Sequence, residues 1–344
     1  MTLAISACSR SGPHPRVSFC VVFSFAMAAC GGTLDAGSDV PHGVLPVDER
    51  NPVVLCNDGF SDNWQGEYAM LFASTGNLAL AGIVINDGWP WTNLNDNITG
   101  WRQMVTAARD SGLQNIPDPM ASTGPALVRP DDANVDSTTP NRSEGALFML
   151  DAAKRLSQPF RPLVVVTGGR LTDLADAYLM DHTLPERVIV VASLGSATPD
   201  GAEMGVPNGE LDTWADIVVA QKFRYVQVST YYDQTADTPA TLLSQLPTNP
   251  FTSWIQSKQP NVKNAFDQVA VQAVVLPSIV VTETRAVQKG ENSNSMPVLL
   301  GDPNGPDWLV TQTSSALATA RFWEMLLDPA TFDAQGAYRP DSGT

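Results

Sequence analysis

The sequence predicts an α/β domain built around a mostly parallel sheet. Two observations predict it. Short apolar runs alternate with helical patterns from residue 52 onward. The runs themselves are continuously apolar, as in "VVLC", "LVVV" and "VIVVA", which suits strands buried on both faces.

The elements follow in order. "PVVLC" (52–56) is the first strand. Asn63 to Ser74 carries Trp64, Tyr68, Leu71 and Phe72 at i, i+4, i+7 and i+8, which is one face of a helix. "LALAGIVI" (78–85) is a second strand, followed by a helix near 97–111 and a long polar loop. Residues 143–156 are helical, "RPLVVVTGG" (161–169) is a strand, and a short helix starts at Thr172 with Leu174, Ala175 and Tyr178. "RVIVVAS" is a strand, 212–222 a helix, and "RYVQVST" a strand. Residues 264–276 form a strongly apolar helix ended by Pro277. "SIVVTETRAV" is extended, and 308–328 reads as a final amphipathic helix.

The 344 residues are 43% hydrophobic and 16% charged, enough for a substantial core. The formal net charge of −16 repels phosphate backbones, so a nucleic-acid polymer is not an expected partner. Residues 1–29 have the build of a signal peptide. Arg10 and Arg16 precede the apolar "VSFCVVFSFAMAAC", which is too short to span a bilayer as a mature helix. Met27-Ala28-Ala29-Cys30 resembles a bacterial lipoprotein cleavage box, with Cys30 as the lipidated residue and an ordinary secretory leader as the alternative. The expected location is therefore the cell envelope, with membrane contact only through a lipid anchor. Residues 30–50 read as a flexible tether, 51–330 as the folded domain and 331–344 as a tail. After cleavage only Cys30 and Cys56 remain, so no disulfide is expected.

The candidate site begins where the first strand ends. "NDGFSDN" (57–63) places Asp58, Asp62 and Asn63 at the carboxyl edge of the sheet, where ligands bind in such folds. One reading is a turn with Asp62 capping the next helix. The other is a calcium site, since Ca²⁺ collects six to eight oxygens from carboxylates, amides and carbonyls. Asp267 is a second candidate, because a carboxylate on so apolar a helix must be paired or bind metal. Its alternative is favourable interaction with the helix dipole. Glu210 and Asp212 flank Leu211 ahead of a helix, with Asp212 as a plain N-cap the alternative.

Together these pieces resemble the inosine–uridine-preferring nucleoside hydrolase family. Cys56-Asn57-Asp58-Gly59-Phe60-Ser61-Asp62-Asn63 is similar to its D-x-D-P-G-x-D-D signature. "VVVTGGRLTDLA", "ELDTWAD" and "AFDQVAVQAVVLPS" are similar to three further family motifs, in family order. The resemblance covers roughly residues 52 to 328. It implies the family's α/β fold and Ca²⁺-dependent hydrolysis of the N-glycosidic bond of a nucleoside or related ribosyl compound. By the same resemblance Asp58 is a metal ligand and the general base. Asn63, Asp267 and the Gly168 carbonyl are further metal ligands. Asp62, Glu210, Asp212 and Asn93 hold the substrate. A homo-oligomer is among the implied assemblies. The chain departs from the pattern at Cys56, Asn63 and Asp212, which replace Asp, Asp and Asn, and at Phe266, which replaces His. A binding protein without turnover and a hydrolase of another glycosidic substrate are the competing expectations. Trp89, Trp91 and Trp101 could stack on a base or sugar, or simply pack.

Overall fold

The computed structural model describes residues 50–59, 64–90, 92–193, 207–228, 243–258, 267–276, 279–292, 295–314 and 316–317. The leader, Cys30, His42, the tether up to residue 49, Asp62, Asn63, Trp91, Phe266 and the tail lie outside them.

Among the described residues nine strands form one sheet: β1 (Pro52–Asn57), β2 (Ala79–Ile85), β3 (Pro119–Ala121), β4 (Leu163–Gly168), β5 (Val188–Ser193), β6 (Arg224–Val228), β7 (Val280–Glu291), β8 (Pro297–Gly301) and β9 (Asp307–Thr313). Their order is β3-β2-β1-β4-β5-β6-β9-β7-β8. Six strands, β1 to β6, are mutually parallel; β9 continues that direction beside β6, and β7 runs antiparallel to both β9 and β8. The helices are α1 (Gln65–Ser74), α2 (Leu94–Asp110), α3 (Glu144–Leu156), α4 (Thr172–Met180), α5 (Pro207–Glu210), α6 (Thr213–Lys222), α7 (Pro250–Lys258) and α8 (Gln268–Val275).

Alternation along β1 divides the core. Val53 and Leu55 pack with Tyr68 and Met70 of α1, Trp101 of α2, Ile255 of α7 and Val271 of α8. Val54 and Cys56 pack on the opposite face with Met149 of α3, Leu174 of α4 and Ile217 of α6. Residues of a strand point alternately to the two faces, so a sheet covered on both sides needs apolar residues at every position. That is why β4 and β5 read as unbroken valine-rich runs, and every residue in both is buried. Each fully buried valine contributes about 1.5–3 kcal/mol of transfer free energy.

Four described stretches differ from the sequence expectation. Residues 307–313 are strand β9, not the start of a helix. Trp308, Val310, Thr311 and Thr313 are aromatic or β-branched and fit a pleated surface, and the strand is paired on both sides. The polar loop after α2 contains β3 and a 3-10 turn at Val135–Ser137; a three-residue strand leaves almost no periodic signal. Helix α7 and strand β8 carried no assignment, being short and mixed in polarity.

Asp307 opens β9 and is buried. Its carboxylate accepts from the Tyr225 backbone N–H at 3.1 Å. Burial pushes it up to about 7, against the downward pull of Arg285. An unfolded aspartate titrates near 3.9. The folded state therefore binds the proton more tightly, and stability falls as pH rises from about 4 through about 7. Asp307→Asn is expected to flatten the decline in melting temperature between about pH 5 and about pH 8. Some slope should remain, because burial also pushes Glu283 of β7 up to about 7. Parallel declines in the two proteins would show that Asp307 does not titrate in that window.

Candidate active site at the carboxyl edge of the sheet

The chain runs β1 to β2 to β3 in one direction, then returns to β4 on the other side of β1. The strand order thus reverses between β1 and β4, and such switch points open a crevice at the carboxyl ends of the strands. Two segments leave the sheet there: Asp58-Gly59 after β1 and Gly168-Gly169 at the end of β4. Register sets them side by side, with Asn57 opposite Gly168.

Asp58 is half-buried. Its carbonyl accepts from Thr92 Oγ1 at 2.7 Å and from Asn97 Nδ2, and the Gly59 carbonyl accepts from Trp101 Nε1 at 2.5 Å. The first turns of α2 and the loop before it thus hold the main chain of the turn that carries Asp58. Two glycines make room for it. A Cβ on Gly88 would lie 3.1 Å from Asp58 Oδ2, and one on Gly169 would lie 3.0 Å from Asp58 Cβ and 2.9 Å from its backbone nitrogen.

Asp267 immediately precedes α8, at its N-cap, and is buried. Its side chain makes no capping hydrogen bond; Oδ1 accepts from Asn208 Nδ2 at 3.2 Å, and the same Asn208 amide reaches the Ser193 carbonyl at the end of β5. A Cβ on Gly168 would lie 2.7 Å from Asp267 Cβ. The two carboxylate residues therefore lie against adjacent glycines, Asp58 on Gly169 and Asp267 on Gly168.

Calcium takes oxygen ligands. The Asp58 and Asp267 carboxylates and the Gly168 carbonyl have that chemistry and converge on one dipeptide. Further oxygens from Asp62 and Asn63 fall outside the described residues. Among the described residues, no three His, Cys, Asp or Glu side chains gather as a metal site.

Sequence reasoning missed a frame of buried amides at this edge. Asn57, Gln65, Asn86, Asn97 and Asn208 are all buried. Asn86 follows β2 and donates to Cys56 Sγ at 3.4 Å and to the Arg170 carbonyl at 3.2 Å. A usable signal existed: each of Asn57 and Asn86 closes an apolar strand, and Gln65 opens a helix buried at all ten positions. A polar group in such a place must be paired.

Beneath the crevice sits a second missed group. Arg170 is 9% exposed and donates to the Gly124 carbonyl at 2.6 Å. Burial, then the negative charges of Asp173 and Asp58, push the Cys56 thiol well up, with Arg170 pulling the other way. Together these favour the neutral thiol at Cys56. Asp173, also raised by burial, accepts from Ser122 Oγ at 2.5 Å.

The remaining sequence candidates are placed as follows. Asp212 is buried and caps α6, accepting from Ala215 N–H at 3.0 Å, Leu127 N–H at 2.9 Å and Thr172 Oγ1 at 2.6 Å. It ties the loop after β3 to α4 and α6, and burial raises its carboxyl. Glu210 is exposed at the end of α5. Asn93 is exposed and caps α2, accepting from Asp96 N–H at 3.0 Å. Trp101 is wholly buried and packs, whereas Trp89 is 72% exposed beside Gly88. Of the three histidines, His182 alone is described, and it stacks on Tyr178 at 4.7 Å. Tyr178 belongs to the α3/α4/α6 face of the core.

No protein-family model and no curated protein matches the chain in sequence. Solved structures do match in shape. An inosine–guanosine nucleoside hydrolase superposes with a TM-score of 0.62 at 13% identity, over 80% of this chain and 98% of that one. A purine-preferring ribonucleoside hydrolase from Gardnerella vaginalis gives 0.55 at 13%, over 80% and 98%. An inosine–uridine-preferring nucleoside hydrolase from Bacillus anthracis gives 0.54 at 13%, over 80% and 97%. The chain has a nucleoside hydrolase-like fold. The likeness spans structures of differing base preference, so it supports the nucleoside hydrolase-like fold and not the inosine–uridine family in particular.

Proposed function

We propose that the protein hydrolyses the N-glycosidic bond of a ribonucleoside or related ribosyl compound, with Asp58 as general base. The observation that carries this reading is the pairing of Asp58 and Asp267 across Gly168-Gly169 at the switch point. Breaking the bond leaves positive charge on the ribosyl ring, and carboxylates fixed around that ring stabilise it. Asp58 takes a proton from the attacking water as the water oxygen bonds to C1′. The C1′–N bond breaks and its electron pair leaves with the base, which is protonated from solvent, since His182 lies on Tyr178. Asp62 and Glu210 are proposed to hold ribose hydroxyls. Asp212 and Asn93 are proposed for the same task, alongside the capping bonds that each makes.

Asp58, Asn63, Asp267 and the Gly168 carbonyl are the residues that would hold a calcium ion. When bound, such an ion acidifies water and orients sugar hydroxyls. Trp89, exposed beside Gly88, is proposed to cover a base. The neutral Cys56 thiol favours a second reading, a nucleoside- or sugar-binding protein without turnover, because it removes a negative charge from beneath the crevice.

Ribose release from inosine and uridine, with calcium and with chelator, separates the readings. The first expects release that chelator abolishes. Asp58→Asn is expected to lower it by at least about 100-fold while leaving the melting temperature near wild type. Wild-type turnover in that variant would remove Asp58 from the mechanism. Nucleoside bound tightly and recovered intact would establish the second reading.

We also propose that the chain is held at the bacterial cell envelope through lipid on Cys30. No helix among the described residues is long and apolar enough to cross a membrane. Cys30→Ser is expected to move the protein from the membrane fraction to the soluble one. A variant that still sediments with membranes would contradict the anchor.

A further inference from the structure

We infer that the buried amide pair Asn57–Gln65 is a positioning device that holds Asp58, Gly168 and Asp267 in mutual register. The inference rests on the reading above for its functional meaning, but the geometry stands by itself. Asn57 Oδ1 accepts from the Gly59 backbone N–H at 2.8 Å, which fixes the turn that carries Asp58. Asn57 Nδ2 donates to Gln65 Oε1 at 2.6 Å and, more loosely, to the Gly168 carbonyl at 3.4 Å. Gln65 Nε2 in turn donates to the Asp267 carbonyl at 3.3 Å. Two side chains thus connect three segments that are distant in sequence. Each of those segments carries one candidate oxygen ligand.

The pair has the properties that such a device needs. Both residues are 0% exposed, so water does not compete for their bonds. Both are neutral, so they add no charge to a cluster that is already anionic. Their positions are closely set: Gln65 Oε1 would lie 2.7 Å from a Cβ on Gly168, so the amide fills the space that the glycine leaves. The two ends of Gln65 also do different work. The oxygen faces Asn57, and the nitrogen faces Asp267. A substitution that changes one end should therefore disturb only the segments at that end.

Hydrogen exchange of the full chain, followed by mass spectrometry, reads this directly. In Gln65→Met, similar in volume but without hydrogen-bonding groups, exchange is expected to speed up by about tenfold in three peptides together. These are the peptides covering residues 57–59, 167–170 and 267–270. In Gln65→Glu the carboxylate still accepts from Asn57 but no longer donates. There the 267–270 peptide alone should lose protection. Should Gln65→Met fail to fold, the Gln65→Glu pattern decides by itself. Faster exchange confined to α1 in the first variant, or wild-type protection at 267–270 in the second, would overturn the inference. A calcium titration of the same proteins supplies the functional arm. Both variants are expected to show a smaller calcium-induced rise in melting temperature than wild type. A wild type that shows no such rise counts against the calcium reading, and the exchange pattern still decides the role of the pair.

Discussion

The site depends on one close approach. Gly168 and Gly169 end β4 without side chains, and the space this leaves is filled from two directions by Asp267 and Asp58. A Cβ at either position would meet atoms under 3.0 Å away, one of them the Asp58 backbone nitrogen. Backbone cannot yield as a flexible side chain can, so the glycines are a condition of the arrangement. The parallel register of β1 and β4 then fixes which residues face the gap. The candidate site follows from two strands that diverge in topology while remaining neighbours in the sheet.

Charge is arranged around that gap in layers. Asp58 and Asp267 lie at the crevice, and neutral amides hold the Asp58 main chain and the Asp267 carboxylate without adding repulsion. Beneath them Cys56 is kept as a neutral thiol, and the Arg170 guanidinium is buried close enough to act on Cys56, Asp173 and Asp212. A buried guanidinium below a cluster of acids lowers the cost of keeping those acids ionised. On the proposed reading, such a site would meet the positive charge of a divalent ion or that developing on a ribosyl ring.

Much of the fold was legible because its strands are buried on both faces. Unbroken runs such as Val188–Ser193 have few other uses, and their alternation with helical patterns specifies the parallel sheet. The ribbon of β7, β8 and β9 was harder to read. Its strands are partly exposed and locally ambiguous, and β9 becomes a strand because β6 and β7 both pair with it. At the candidate site, Asp58 and Asp267 stand out in the sequence because each breaks an apolar context, whereas Gly168 is singled out only by the family resemblance. Asn57 and Gln65 carry a local sign of burial but not of their partners, and Asn208 carries neither, since the importance of all three lies in long-range contacts that no local pattern reveals. Asp212 and Asn93 illustrate the converse: a polar residue ahead of a helix has the same local signature whether it caps the helix or meets a ligand.

The central claim is that Asp58 and Asp267, brought together by Gly168-Gly169, form one oxygen site for a cation and a ribosyl ring. A crystal structure of the chain grown with calcium and ribose tests it most directly. The account predicts a cation touched by carboxylate oxygens of both Asp58 and Asp267, with ribose hydroxyls against it. Ribose ordered elsewhere, or at this edge with neither carboxylate in contact with a cation, would contradict it.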